Sequence, residues 1–471
     1  MLKRRRKFSR NWAADSAATM ATAKRNRFSS AWIRPAALIA GLLAASCSSP
    51  RDRPTPGPGG AAGETPAPVQ YALSESVGGI RALEFSRDGR WLAVSERNPN
   101  QTRVVDLSSG EQAWAARLEK RLRGDYWATG LAGDLEYSPD GSILAVEAMD
   151  GSGPGFVFLL DAATGALIHA LDGPTDFATS VRFNSNGTRV AALSYEFLES
   201  GARSVIWEWD VATGDVFRQI QLPPSETDWA ESQAMDYAAD GSLYVLGLSP
   251  QVYRIMPGAK KAVEVRTQSP AVTLCVSSDR NAIIVQTESP NEGVQAVEYV
   301  DAKTGRVVRD ETAPNLFESL SARQRNLSFF AIRSADKLKY QVFHADTRVP
   351  AFETRDAKDA VQCFAVSPLG NCIAVGRESG VVELYDPKTG QVVVTYAPLP
   401  SMSDGTGDEA ETPATTDWCA WLPSGAYSGS PGCEKWMIAT AGGKKISESE
   451  LKDLYRDDDA VREAFRKFAP N

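Results

Sequence analysis

The sequence predicts an all-β fold, a seven-bladed β-propeller carrying a small C-terminal helical appendage. Three observations predict it. A turn motif recurs seven times, each copy sits in a unit of short apolar strands, and a Pro/Gly-rich segment separates this repeat from an apolar leader.

The leader comes first. Lys24, Arg25, Arg27 and Arg34 precede an apolar, small-residue stretch from Ala36 to Ser46 that ends at Cys47. That run is too short to span a bilayer as a helix, and its flanks are those of a signal peptide. Leu43-Ala44-Ala45-Ser46-Cys47 resembles the lipobox of bacterial lipoproteins, with Ala44 where leucine is commoner. The resemblance implies that residues 1–47 are a signal segment and that the Cys47 thiol carries a diacylglyceryl group. Ser48 stands where an inner-membrane retention signal places aspartate, so the resemblance also implies an outer-membrane anchor facing the periplasm. Met1 and Met20 both remain candidate starts. Arg5-Arg6-Lys7-Phe8 has a twin-arginine look, but Asp15 intervenes and the apolar region lies far downstream.

Residues 48–68 are rich in Pro, Gly, Ser and Thr and nearly devoid of large apolar groups, a composition that forms a tether and cannot bury a core. Beyond residue 47 the chain holds 41 basic and 58 acidic residues, a formal charge of −17. Such a surface repels phosphate backbones, and no Lys/Arg stripe overrides it, so nucleic acid is excluded as an expected partner.

The repeat begins at Tyr71. Its turns are Ser86-Arg87-Asp88-Gly89, Ser138-Pro139-Asp140-Gly141, Asn184-Ser185-Asn186-Gly187 and Ala238-Ala239-Asp240-Gly241, each followed by an apolar strand. Degenerate copies stand at Ser277-Ser278-Asp279-Arg280 and Ser321-Ala322-Arg323-Gln324, and the last is Ser367-Pro368-Leu369-Gly370. Asp or Asn bonds its own backbone at a tight corner and Gly accepts the positive φ after it, so two apolar strands joined this way form a hairpin. A third strand follows and closes on Asp. Phe156 to Asp161, Val205 to Asp210, Ala296 to Asp301 and Val381 to Asp386 lead into Thr-Gly turns at Gly165, Gly214, Gly305 and Gly390; Asp106 to Gly110 is a variant. Residues such as Gln391 to Ala397 then make a fourth strand. Four strands repeating every 39 to 54 residues or so mark propeller blades.

The aromatic-Ser-x-Asp-Gly turn and the strand closing on Trp209-Asp210 resemble WD40-type repeats, across about residues 69–400. WD40 blades often carry a Gly-His pair, whereas this chain has only His169 and His344, neither at the matching place. Seven and eight blades both stay open, as do residues 69–73 and 392–397 as the ring-closing strand. The Asp-x-x-Thr-Gly turns also resemble quinoprotein propellers, which place a blade-docking Trp after the Gly. Only Trp114 fits, so no quinone and no other cofactor is expected.

Residues 401–417 read as an acidic linker. From residue 418, the run Trp421-Leu422-Pro423-Ser424-Gly425-Ala426-Tyr427-Ser428-Gly429-Ser430-Pro431 with Glu434-Lys435 resembles a segment that follows WD40 repeats in bacterial proteins linked to caspase-like peptidases. No peptidase domain is present, so the resemblance implies module architecture and not proteolysis. Ser447 with Glu450 forms a capping box for a helix whose face is Leu451, Leu454 and Tyr455. Val461, Phe465 and Phe468 mark a second amphipathic stretch after Asp457-Asp458-Asp459. These helices are expected to pack on the propeller rim.

Candidate chemistry is sparse. His169 and His344 read as strand residues and not as bases for a nucleophile, no Gly-x-Ser-x-Gly elbow occurs, and metal-ligand spacings are missing. Five cysteines follow Cys47; an odd number leaves one free, and Cys419 with Cys433, flanking a Gly/Ser/Pro turn, is the candidate disulfide. Cys275 reads as a small buried hydrophobe. Longer loops at Glu119 to Arg123 and Glu226 to Gln233 bring Trp127 and Trp229 as candidate partner anchors, with burial between blades as the alternative. The expectation is a non-enzymatic, membrane-anchored scaffold for another envelope protein. Its rivals are a propeller hydrolase or lactonase with a central-channel site and a small-ligand sensor. Clustered carboxylates with arginine in the channel favour the enzyme, and an aromatic patch on one rim favours the scaffold.

Overall fold

The computed structural model describes residues 69–470 except 75–77, 97–100, 122–126, 130, 150–154, 175–177, 199–200, 226–233, 278–279, 288–293, 315–328, 334–337, 345–349, 356–358 and 400–416. The leader, Cys47 and the tether lie outside the described residues. So do Trp229 and the turn at Ser321.

The recurring unit folds as its sequence predicts. Strands Ile80–Phe85, Trp91–Glu96, Gln101–Asp106 and Glu111–Arg117 pair antiparallel in chain order to make a first sheet. Four-stranded sheets of the same order follow within 131–171, 178–221, 234–265 and 271–314. A sixth sheet has three described strands, Phe329–Arg333, Tyr340–His344 and Pro350–Glu353. They follow the Ser321 turn in sequence, so they occupy the second to fourth places of the unit. The seventh begins with Val361–Val366 and has six strands.

The turn chemistry explains the hairpins. Ser86 Oγ donates to Asp88 Oδ1 at 2.6 Å and accepts from the Trp91 amide at 2.8 Å, locking both ends of the corner. Ser138 repeats this with Asp140 and the Ile143 amide. In the degenerate copy, Arg280 itself takes the left-handed conformation, φ 57°, that glycine supplies elsewhere.

Neighbouring sheets touch through their leading strands, the sixth through the first of its described strands. The first contacts the second, the second the third, the third the fourth and the fourth the fifth. Phe329–Arg333 of the sixth meets Val361–Val366 of the seventh, which in turn lies against Ile80–Phe85 of the first. Apolar side chains fill the gaps between neighbours. Leu92, Val94 and Val105 of the first sheet share a cluster with Ala374, Leu384 and Val394 of the seventh.

The C-terminal segment is continuous with this body. Trp418–Trp421 pairs with Gln391–Pro398, and Tyr427–Gly429 follows, supplying the fifth and sixth strands of the seventh sheet. Residues 392–397 are therefore the fourth strand of their own sheet. Val69–Leu73 joins neither the first nor the seventh sheet; it pairs antiparallel with Met437–Ala441.

Two helices end the chain, α1 (Glu448–Tyr455) and α2 (Asp458–Arg466). The Ser447–Glu450 capping box forms as predicted, and Asp457 caps α2 by accepting from the Ala460 amide. Val461, Phe465 and Phe468 are buried between the first and seventh sheets. On α1, Leu451 is buried but Leu454 is 71% exposed, so the predicted apolar face is narrower than its spacing implied. Residues Glu119–Arg121 and Trp127–Thr129 form a two-stranded hairpin where a loop was expected. Among the described residues no helix is long and apolar enough to cross a membrane.

Candidate functional site

Two places could carry function: the charged residues of the leading strands, and the free edges of the fourth strands. On the leading strands, Arg182 is buried and donates to Asp134 Oδ2 at 2.7 Å across the boundary between the second and third sheets. Burial pulls the Arg182 guanidinium down, but the carboxylates of Asp134, Glu136 and Asp236 outweigh it and hold the charge. Asp134 also accepts from the Val181 amide at 3.1 Å, and Glu136 accepts from the Phe183 amide. Both carboxylates thus receive hydrogen bonds from the backbone of the neighbouring sheet. Those bonds make both carboxylates ties between neighbouring sheets.

Similar ties recur elsewhere. Arg103, buried against Glu96, sends Nη1 to the Asp417 carbonyl at 2.7 Å and Nη2 to the Leu399 carbonyl at 2.8 Å, joining the first sheet to the end of the seventh. Tyr237 OH of the fourth sheet donates to Glu208 Oε1 of the third at 2.8 Å. Glu383, fully buried, accepts from Arg377, Arg355 and Tyr385, and Arg377 reaches the Leu338 carbonyl beside the sixth sheet. Breaking such a pair leaves an uncompensated buried charge, which makes these ties costly to lose.

The Thr-Gly turns are docking sockets. Trp114 of the first sheet lies over Gly165 of the second, where a side chain would enter the indole, and its Nε1 donates to the Ala162 carbonyl at 2.9 Å. His169 covers Gly214 of the third sheet, with Nε2 3.3 Å from the Ala212 carbonyl. Phe352 covers Gly390. A tryptophan after the turn glycine predicts this role for Trp114 alone, yet the other sockets are filled by other residue types. The role belongs to the position, which His169 also occupies. At Gly305 the nearest side chains are Arg254 and Tyr244 of the fourth sheet, and the Gly110 socket is filled by Phe465 of α2.

At the fourth-strand edges the sheets differ. Leu167, Ile168, Val216, Phe217, Val263 and Val308 are exposed, and each lies within the first three residues of a fourth strand of the second to fifth sheets. Phe217, 47% exposed, has the Arg189 guanidinium 4.3 Å from its ring centroid. It also lines a cleft of about 330 Å³ between the third and fourth sheets with Arg218, Tyr237 and Asp240. In the seventh sheet the same edge is covered by Trp418–Trp421.

The other predicted site residues fall as follows. Cys47 lies outside the described residues. Cys419 and Cys433 are buried free thiols in one apolar cluster, so the candidate disulfide is not formed here. Burial pushes the Cys433 thiol up to about 12, with Glu434 adding to the rise. Cys275 is buried as expected, and burial also pushes its thiol up to about 12. His344 ends Tyr340–His344 and pairs with Phe329. Trp127 sits in the short hairpin opposite Arg121. Among the described residues no group of His, Cys, Asp or Glu is arranged to hold a metal ion. No protein-family model matches this chain, and no curated protein matches it.

Proposed function

We propose that this protein is a lipid-anchored scaffold of the bacterial envelope, a WD40-like propeller that binds another envelope protein through its rim. In this reading the seven sheets are seven blades of a closed ring, and α2 completes the join between the last and the first. Cys47 carries the lipid and the outer membrane is the site of anchorage, on the strength of the lipobox-like sequence.

One observation carries the binding role. The fourth strands of the second to fifth sheets present apolar side chains to solvent at an edge that no described strand pairs, and between the third and fourth sheets a cleft large enough for a side-chain anchor lies beside Phe217. Exposed apolar residues aligned on successive edges are a feature that monomeric proteins avoid and interaction surfaces use. A hydrolase with a central-channel site draws on Arg182 and its three neighbouring carboxylates. The backbone hydrogen bonds to Asp134 and Glu136 give those groups a structural occupation instead.

The anchor is tested by fractionation. Cys47→Ala should move the protein from the membrane fraction to the soluble periplasm, and persistent membrane association of that variant contradicts the anchor.

A further inference from the structure

We propose that Cys419 and Cys433 form a redox pair that closes to a disulfide when an oxidant reaches it, cross-linking the fifth strand of the seventh sheet to the one-turn helix Cys433–Trp436. The geometry is set by Gly429. Cys419 stands directly opposite Gly429 in the strand pairing, so a side chain at 429 would project on the same sheet face as that of Cys419. The place of that missing Cβ is 2.8 Å from the Cys433 sulfur and 3.0 Å from the Cys419 Cα. The Cys433 sulfur therefore occupies the room that Gly429 leaves, less than about 6 Å from the Cys419 Cα; a disulfide needs its two Cα atoms only about 4.4–6.8 Å apart, a separation this packing allows. Both residues belong to the cluster that includes Val69, Tyr427 and Met437, and burial pushes both thiols up, with Cys433 adding to the effect on Cys419.

The other three cysteines are placed differently. Cys275 lies in the fifth sheet. Cys363 pairs with Gly376, whereas Cys372 bonds Ser367 at the far end of the same hairpin, several residues along the strands. The odd count noted in the sequence is thus resolved as one pair with three separate thiols.

Closure needs a disulfide-bearing oxidant. One cysteine thiolate attacks it, forming a mixed disulfide and releasing one thiolate of the oxidant. The second cysteine thiolate then displaces the remaining one, the new S–S bond closes, and the two protons pass to the released thiolates. Two electrons move from the pair to the oxidant. Because both sulfurs are buried, closure takes place before the segment packs or during its local opening.

The test uses the full chain carrying Cys47→Ala, equilibrated in buffers of oxidised and reduced glutathione, unfolded, alkylated and digested. The expected result is loss of two alkylatable thiols in the oxidised buffers and one cross-linked peptide joining Cys419 to Cys433, reversed by reductant. Cys275, Cys363 and Cys372 should be alkylated throughout. Five alkylated thiols in every buffer, or a cross-link through any other cysteine, overturns the proposal. Cys433→Ser adds a second reading if it folds: the redox dependence of protease resistance in residues 418–471 should vanish, and its persistence counts against the pair.

Discussion

The fourth strand of a sheet meets two fates in this molecule. At the seventh sheet, the chain covers its own edge: Trp418–Trp421 pairs with Gln391–Pro398, and α2 then crosses to the first sheet. There Phe465 fills the Gly110 socket, Asn371 Nδ2 donates to the Phe468 carbonyl at 3.1 Å, and Arg466 Nε reaches the Ser108 carbonyl at 3.3 Å. At the second to fifth sheets no described strand covers that edge, and apolar side chains are exposed at its start. The first residues of those strands are Leu167, Val216, Val263 and Arg306-Val307-Val308, whereas Glu111 and Gln391 open the fourth strands of the first and seventh. In the seventh sheet, whose edge the chain itself covers, that strand opens on Gln391; in the second to fourth sheets it opens on an exposed apolar residue.

The comparison breaks first at the covered seam. Arg103→Met should destabilise the protein by about 3–5 kcal/mol, because Glu96 is left as a buried, unpaired carboxylate. Chemical denaturation would show it as a lower midpoint at unchanged slope. Phe465→Ala should cost about the same, roughly 3–5 kcal/mol, by emptying the socket over Gly110. The corresponding cut on the open side, Leu167→Ser or Phe217→Ser, should change stability by less than about 0.5 kcal/mol, since those side chains are already half in water.

A smaller effect belongs to the capping box. Ser447→Ala removes a bond to the Glu450 amide and should cost about 1 kcal/mol, lost first from α1 in hydrogen exchange. Acid gives a graded test of the turns. Thr164 and Thr304, through hydroxyl and amide, hold Asp161 and Asp301 below the usual carboxylate range, and the Thr213 amide with Arg189 does so for Asp210. At Asp106 burial works the other way, but Arg90 and Ser108 overcome it. A carboxylate with a folded-state value below its unfolded one adds stability above the unfolded value of 3.8, and that stability is lost as pH falls through the folded value. The thermal midpoint should therefore drop as pH falls below about 4.

Local chemistry wrote most of this fold into the sequence. The turn Ser86-Arg87-Asp88-Gly89 and its copies could be read because the hydrogen bonds they make are internal to a few residues. Third strands such as Val381 to Asp386 could be read because their closing Asp bonds the turn beside it, as Asp386 does with the Lys388 amide. What depends on distant partners was not legible. Val69–Leu73 looks like any short strand, and only its partner Met437–Ala441 says where it goes. The sockets escaped for the same reason: Trp114, His169, Phe352 and Phe465 share a place and no residue type, so no motif records them. Leu454 shows the limit of periodicity, which names the apolar side of a helix but not the width of surface that the body covers.

The rim decides the functional account. In-cell crosslinking of the tagged wild type should capture one recurrent envelope protein at comparable abundance, and a Leu167→Asp, Phe217→Asp variant that folds with unchanged stability should lose it. Equal capture by both chains, or only background proteins with either, would contradict an open rim built to bind.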